Sequence, residues 1–164
     1  MAFSLATMLP SDWPAVERIY LEGIATGNAT FETESPGWEK WNSAHLPHSR
    51  LIANDGDSVV GWAALSSVSA RRVYAGVAEV SVYVATSAQG KGIGKLLLTE
   101  LIRQSEQNGI WTLQAGIFPE NASSLALHKS RGFREVGRRE KVGQLCGKWR
   151  DTVLLERRSA IVER

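Results

Sequence analysis

The chain has 164 residues, 43% of them hydrophobic and 22% charged, with 19 Lys and Arg against 17 Asp and Glu. That is enough to fill one core and short for two. A net charge of +2 does not by itself point to nucleic acid, no apolar run approaches the roughly 18 residues of a membrane span, and Cys146, the only cysteine, excludes an internal disulfide and any multi-cysteine metal site.

With no basic segment and apolar run at the N-terminus, the expectation is a cytoplasmic protein, a single domain over 1–158 followed by a tail at 159–164. Residues 3–9 alternate as a first strand that Pro10-Ser11-Asp12 ends. Ser11 or Asp12 caps a helix with Pro14 in its first turn and Val16, Ile19, Tyr20 and Ile24 as its buried stripe. Residues 29–34 read as extended, and Ser35-Pro36 opens a short helix carrying Trp38, Trp41 and His45. Strands 50–54 and 58–67 flank Asp55-Gly56-Asp57, a hairpin signal.

After a loop at 69–77, Val80, Val82 and Val84 alternate with Glu79, Ser81 and Tyr83, the period of a half-buried strand. Gly90, Gly92 and Gly94 follow, then Leu96, Leu97, Leu101 and Ile102 at helical spacing up to Asn108-Gly109. Residues 111–117 form another strand, Asn121 caps a helix that Gly132 ends, and 133–142 and 148–156 make a final antiparallel pair. The order β-α-α-β-β-β-α-β-α-β-β predicts an α/β protein, a central mixed sheet flanked by helices.

The strand, glycine turn and helix at 78–98 carry the chemistry. Such a turn leaves backbone N–H groups unpaired at a helix start, and glycine lets a phosphate or pyrophosphate approach the main chain. A Walker loop does not fit, because Gln89 stands where its first Gly belongs and Leu96 replaces Ser or Thr; the dinucleotide fingerprint fails at Lys95. Gln89-Gly90-Lys91-Gly92-Ile93-Gly94 instead resembles the Gln/Arg-x-x-Gly-x-Gly/Ala signature of the GNAT superfamily of N-acetyltransferases. The alternative is a tight turn with no ligand.

A second motif lies downstream. Asn121, Ser124, His128 and Gly132 share one helix face, and Asn121 through Gly132-Phe133 resembles the Asn-x-x-Ala/Ser-x-x-x-Tyr-x-x-x-Gly-Phe helix of that superfamily, with His128 in place of Tyr. Arg71-Arg72-Val73-Tyr74, Glu79 to Val84, Leu127-His128, Thr30-Phe31-Glu32-Thr33 and Gly147-Lys148-Trp149-Arg150-Asp151 resemble the branch containing phosphinothricin and methionine sulfoximine N-acetyltransferases.

The resemblance implies a GNAT-like acyl-CoA N-acyltransferase fold, acetyl-CoA as co-substrate, a small-molecule amine as acceptor and a homodimer paired through the C-terminal strands. It implies acetyl-CoA contacts at Val82, Tyr83, Val84, Gln89, Gly90, Lys91, Gly92, Ile93, Gly94, Lys95, Asn121, Ser124 and His128. Glu79 is the expected general base: it starts the central strand among apolar neighbours, and partial burial raises a carboxylate toward the range where a base works best. An ion pair of Glu79 with Arg71 or Arg72 is the bland alternative.

Backbone amides at 82–84 suit the pantetheine amide and the thioester oxygen. Tyr83 or His128 is the candidate to protonate the leaving thiolate. Phe31, Glu32, Arg71, Arg72, Tyr74 and Glu79 are expected at the acceptor, with an arginine on the carboxylate of an amino-acid-like substrate and Trp62 beside Phe31 as a further wall. No metal is expected, since His45 and His48 have no third ligand, nor any nucleic-acid or membrane partner. The readings left open are transfer to an amino acid or analogue, acetylation of a protein N-terminus, and an acetyl-CoA-binding regulatory module without chemistry.

Overall fold

The structure, a computed structural model, describes residues 3–163; positions 1, 2 and 164 of the expected domain and tail lie outside the described residues. Seven strands form one mixed sheet in the order β1-β2-β3-β4-β5-β7-β6. They are β1 (Phe3–Thr7), β2 (Leu51–Asp55), β3 (Ser58–Ser67), β4 (Val77–Val84), β5 (Thr112–Ile117), β6 (Arg134–Leu145) and β7 (Lys148–Arg158). The helices are α1 (Trp13–Ala25), α2 (Trp38–Ala44), α3 (Ile93–Gln107) and α4 (Ala122–Ser130). Every neighbouring pair is antiparallel except β4 and β5, which run parallel. Among the described residues no helix is long and apolar enough to cross a membrane.

Val16 and Ile19 of α1 are buried against the sheet, and Leu97, Leu101 and Ile102 of α3 are buried as their spacing predicts, joined by Ile93 and Leu98, whereas Leu96, expected in that stripe, is 42% exposed because it falls on the outer face of the helix. Trp62 is 1% exposed and stacks on Tyr83, 4.8 Å between centroids, with Trp41 edge-on at 5.5 Å. That corrects the expectation of Trp62 as a pocket wall, because a side chain enclosed by α1, α2 and β4 has no face left for a ligand.

Three other differences have local causes. Residues 29–34, expected to be extended, form an irregular segment with bends at Ala29, Phe31 and Glu34 and belong to no strand. The strand expected at 133–142 runs on to Leu145 through register shifts at Glu135/Gly137 and Arg139/Gly143, with Lys141 at φ 46° donating its N–H to Asp151 Oδ1 at 2.9 Å. Such bulges interrupt the two-residue period that reveals a strand. The tail is fixed through residue 163, because Arg158 donates to the carbonyls of Ser159, Val162 and Glu163.

Candidate active site

The site exists because one ladder stops early. β4 stays with β3 as far as Val84 opposite Gly61, but its parallel pairing with β5 covers only Val77 to Glu79 against Thr112 to Gln114. Beyond Gln114 the outer edge of β5 follows β7, up to Ile117 opposite Val153. The strands splay, and a cleft of about 1170 Å³ opens between Val80–Val84 on one side and Ala115–Phe118 on the other.

Ala85 donates its N–H to the Val60 carbonyl at 2.8 Å. Counting back along the antiparallel alternation, the amides of Tyr83, Ser81 and Glu79 turn to β3, and those of Val84 and Val82 turn into the cleft without a strand to receive them. A backbone donor left in this way needs a ligand or water.

At one end of the splay, Gln89, Gly90, Gly92, Gly94 and Lys95 line the cleft. Gly90 and Gly92 hold φ of +75° and +82°, and a Cβ built on either meets nothing within 4 Å, so the conformation, not crowding, selects glycine there. The first bond within α3 runs from the Leu96 N–H to the Gly92 carbonyl, which leaves the amides of Ile93, Gly94 and Lys95 at the positive end of the helix. Unpaired amides at the positive end of a helix suit an anion such as a diphosphate, and Lys95 lines the cleft at the same turn. Of the expected donor contacts, Ile93 can offer only its main-chain amide, since its side chain is 1% exposed in the core, and Lys91 is not among the cleft walls.

Helix α4 forms the adjoining wall. Asn121 accepts the Ser124 N–H at 3.2 Å and caps it, and Asn121, Ser124 and His128 all line the cleft. The His128 Nδ1 lies 2.7 Å from the Ser124 carbonyl, an acceptor only, so Nδ1 carries the proton and Nε2 presents a lone pair. Burial lowers the imidazole below its ordinary value, which keeps it neutral. Its single N–H is already given away. Burial, reinforced by Tyr20, pushes the Tyr83 phenol far up from the ordinary tyrosine range. Tyr83 therefore holds its phenol proton tightly, and the His128 proton is engaged by the Ser124 carbonyl.

At the far end Glu79 faces the cleft from the last paired position of β4. Burial raises its carboxyl above the ordinary range, and the side chain of Gln114, opposite it in register, offsets part of that shift. Glu79 makes no salt bridge to a described residue, so the bland alternative of an ion pair with Arg71 or Arg72 is not what the structure contains. Gly116 keeps space open beside it: a Cβ there would lie 3.8 Å from Glu79 Oε1.

Phe31 and Glu32 stand over this end. Phe31 meets Phe118 edge-on at 4.9 Å and packs against Gly143, where a Cβ would come within 2.9 Å of the ring. Arg71, Arg72 and Tyr74, by contrast, are not among the cleft walls. Residues Arg72–Tyr74 form a short 3₁₀ turn before β4, with exposed side chains and the Arg71 guanidinium over the Tyr74 ring at 5.6 Å. The sequence placed them by proximity to Glu79 along the chain, whereas the splay opens in the opposite direction along β4.

Sequence reasoning missed Asn28, Gly116, Phe118, Arg139, Val142 and Thr152, which also line the cleft; they come from loops and strands remote in the chain and carry no motif. A shallow depression of about 450 Å³ on the outer face of α1, around Glu17, Arg18 and Leu21, contains none of the expected site residues. No cluster of three or more metal-ligating side chains occurs among the described residues.

Residues 9–133 match the Acetyltransferase (GNAT) family. This chain belongs to that family. As a GNAT N-acetyltransferase it is an enzyme, and its relatives include a phosphinothricin N-acetyltransferase of Alcaligenes faecalis, 34% identical over 95% of this chain and 82% of that protein. An L-methionine sulfoximine/L-methionine sulfone acetyltransferase of Pseudomonas aeruginosa is 29% identical over 95% of this chain and 94% of its own. The crystal structure of a GNAT superfamily phosphinothricin acetyltransferase from Sinorhizobium meliloti in complex with acetyl-CoA superposes with a TM-score of 0.89, at 29% identity over 99% of this chain and 91% of that one.

The raised Glu79 carboxyl has a sign-definite effect on this GNAT domain. Because the folded state binds that proton more tightly than the unfolded chain, stability from this group is full below the unfolded pKa and declines as pH rises through the folded one. Glu79→Gln is therefore expected to raise the thermal midpoint relative to wild type at neutral pH, with the gain vanishing near pH 3.5. Calorimetry across that range checks it, and a midpoint lowered at neutral pH would contradict the sign.

Proposed function

We propose that this enzyme transfers an acetyl group from acetyl-CoA to the amine of a small amino acid or amino-acid analogue, with Glu79 as general base. The observation that carries the reading is the splay itself: one carboxylate at the last paired residue of β4, two unclaimed amides just beyond it, and a glycine cradle at the end of the same cleft.

When bound, acetyl-CoA supplies the acetyl group as a thioester. The amides of Gly90 to Lys95 and the Lys95 ammonium would hold its diphosphate, and the Val82 and Val84 amides would meet the pantetheine and the thioester oxygen. An alkylamine near pKa 10 is protonated at neutral pH, so a base must remove a proton before the nitrogen attacks. Glu79, with its elevated pKa, accepts that proton. His128 and Tyr83 act as walls of the donor site, and the thiolate, mildly basic at a pKa near 8.5, takes its proton from water. Phe31 roofing the acceptor end suits a small molecule better than an extended peptide.

Replacing Glu79 with Gln is expected to lower kcat/KM by roughly 10²-fold or more and to abolish its rise with pH on the acid side, while acetyl-CoA affinity by calorimetry stays within about twofold. Gly92→Val should do the converse. At φ +82° a branched side chain is strained, and acetyl-CoA affinity is expected to fall by about tenfold or more. A wild-type pH profile for Glu79→Gln removes the base assignment; an unchanged donor affinity for Gly92→Val removes the cradle.

Glu32 bears on which amino acid is taken. Its carboxylate has no ion-pair partner among the described residues and lies in the same cleft as Glu79. An acceptor anion brought near it meets a like charge, a repulsion that solvent at the exposed Glu32 moderates. Methionine sulfone, with a neutral side chain, is therefore expected to be acetylated at least tenfold more efficiently than phosphinothricin, which carries a phosphinate anion, and Glu32→Gln to narrow that ratio. Competition assays with the two acceptors decide the point.

The assembly proposed is a homodimer through the β6–β7 hairpin. Strand β6 is a sheet edge of 12 residues, almost all exposed, and Val136, Val142 and Trp149 show 44, 38 and 56% of their surface. Sedimentation is expected to give twice the chain mass, and Trp149→Glu to shift it to the monomer.

A further inference from the structure

The acceptor wall formed by Phe31 and Glu32 belongs to a segment, residues 26–32, that pairs with no strand. What holds it is a side chain 122 residues away. Arg150 of β7 donates from Nη1 to the Gly27 carbonyl at 2.8 Å and from Nη2 to Asn28 Oδ1 at 2.8 Å, and Nη2 also lies 3.3 Å from Glu120 Oε2. Its guanidinium lies over the Phe118 ring, 4.1 Å from the centroid, and its side chain is only 15% exposed. Phe118 is the ring on which Phe31 rests.

A second tether comes from the donor side: Asn121, the cap of α4, donates Nδ2 to the Asn28 carbonyl at 3.2 Å. Residues 27 and 28 are thus gripped by two long-range side chains, and the aromatic under Phe31 is backed by one of them. A planar guanidinium can satisfy a carbonyl, an amide oxygen and a ring face at once; no other side chain has that geometry.

We propose that Arg150 is the positioning residue of the acceptor site: by clamping Gly27 and Asn28 and supporting Phe118, it fixes Phe31 and Glu32 opposite Glu79 and so sets affinity for the acceptor without touching the donor. The inference rests on the reading of this cleft as an acetyltransferase site, and one of its readouts is independent of that reading.

The test uses the full chain with Arg150→Met, which keeps an apolar stem on Phe118 but loses the donors, and Arg150→Lys, which keeps a charge and one donor set. Hydrogen–deuterium exchange followed by mass spectrometry is expected to show residues 26–32 exchanging at least tenfold faster in Arg150→Met, with β4 and α3 unchanged. For the best acceptor found with wild type, KM is expected to rise about tenfold, kcat to stay within about threefold and KM for acetyl-CoA within about twofold, with Arg150→Lys intermediate.

Should Arg150→Met not fold, Asn28→Ala removes one end of the clamp and is expected to speed exchange of the same segment. Where Arg150→Met folds, Asn28→Ala in that background should add less than it does alone. Unchanged exchange over 26–32, or donor and acceptor KM rising together, overturns the proposal. If wild type acetylates no small amine yet exchange responds as expected, the clamp stands and the proposed acceptor class falls.

Discussion

Everything in this molecule that concerns chemistry depends on two neighbouring strands parting company. A parallel pair normally continues until one strand ends, because each further residue satisfies backbone donors and acceptors that are costly to leave unmet. Here β4 and β5 share only three residues of register, although β4 runs five residues beyond the last of them. Each is committed to a different partner: β4 to β3 through Val84 and β5 to β7 through Ile117. The divergence also lets the end of α3 enter the gap, where a Cβ on Gly94 would already press on Leu127 of α4 at 3.2 Å. The cost of the unmatched amides at Val82 and Val84 is what a bound thioester recovers under the proposed activity.

Charged groups of both signs line the cleft: the amides of a helix start and Lys95 on one wall, Glu32, Glu79 and Glu120 elsewhere, and the Arg139 guanidinium among them. The Glu79 carboxylate makes no salt bridge to a described residue. Its elevated pKa arises from burial, with Gln114 as the partial offset, and no neighbouring cation pulls it down.

Much of this frame was legible in the sequence because its determinants are local. Alternation identified β4, glycines with positive φ identified the turn, and Asn121 three residues before Ser124 identified the cap; each is decided within about seven residues. The acceptor wall was not legible. It is assembled from Phe31, Gly116, Phe118 and Gly143, joined by contacts between segments tens of residues apart, and the clamp that holds it links positions 28 and 150. Arginines 71 and 72 looked suitable because the sequence gives distance along the chain and not the direction in which a sheet opens. Trp62 misled for a related reason, since nothing local distinguishes an aromatic that roofs a pocket from one locked between helices and a strand.

The economy of the proposed chemistry follows from the tautomer of His128. A histidine in a donor site invites the role of acid, but its Nδ1 proton is fixed on the Ser124 carbonyl and burial disfavours a second proton. Tyr83, stacked on Trp62 and edge-on to Tyr20 at 5.1 Å, is held even further from proton transfer. A thiolate near pKa 8.5 does not require an acid to leave, whereas an ammonium near pKa 10 does require a base to become nucleophilic. Among these three burial-shifted groups, the proposed chemistry uses the proton affinity of Glu79 alone. Under that proposal, a neutral His128 and a neutral Tyr83 beside the donor match the asymmetry of the two proton transfers.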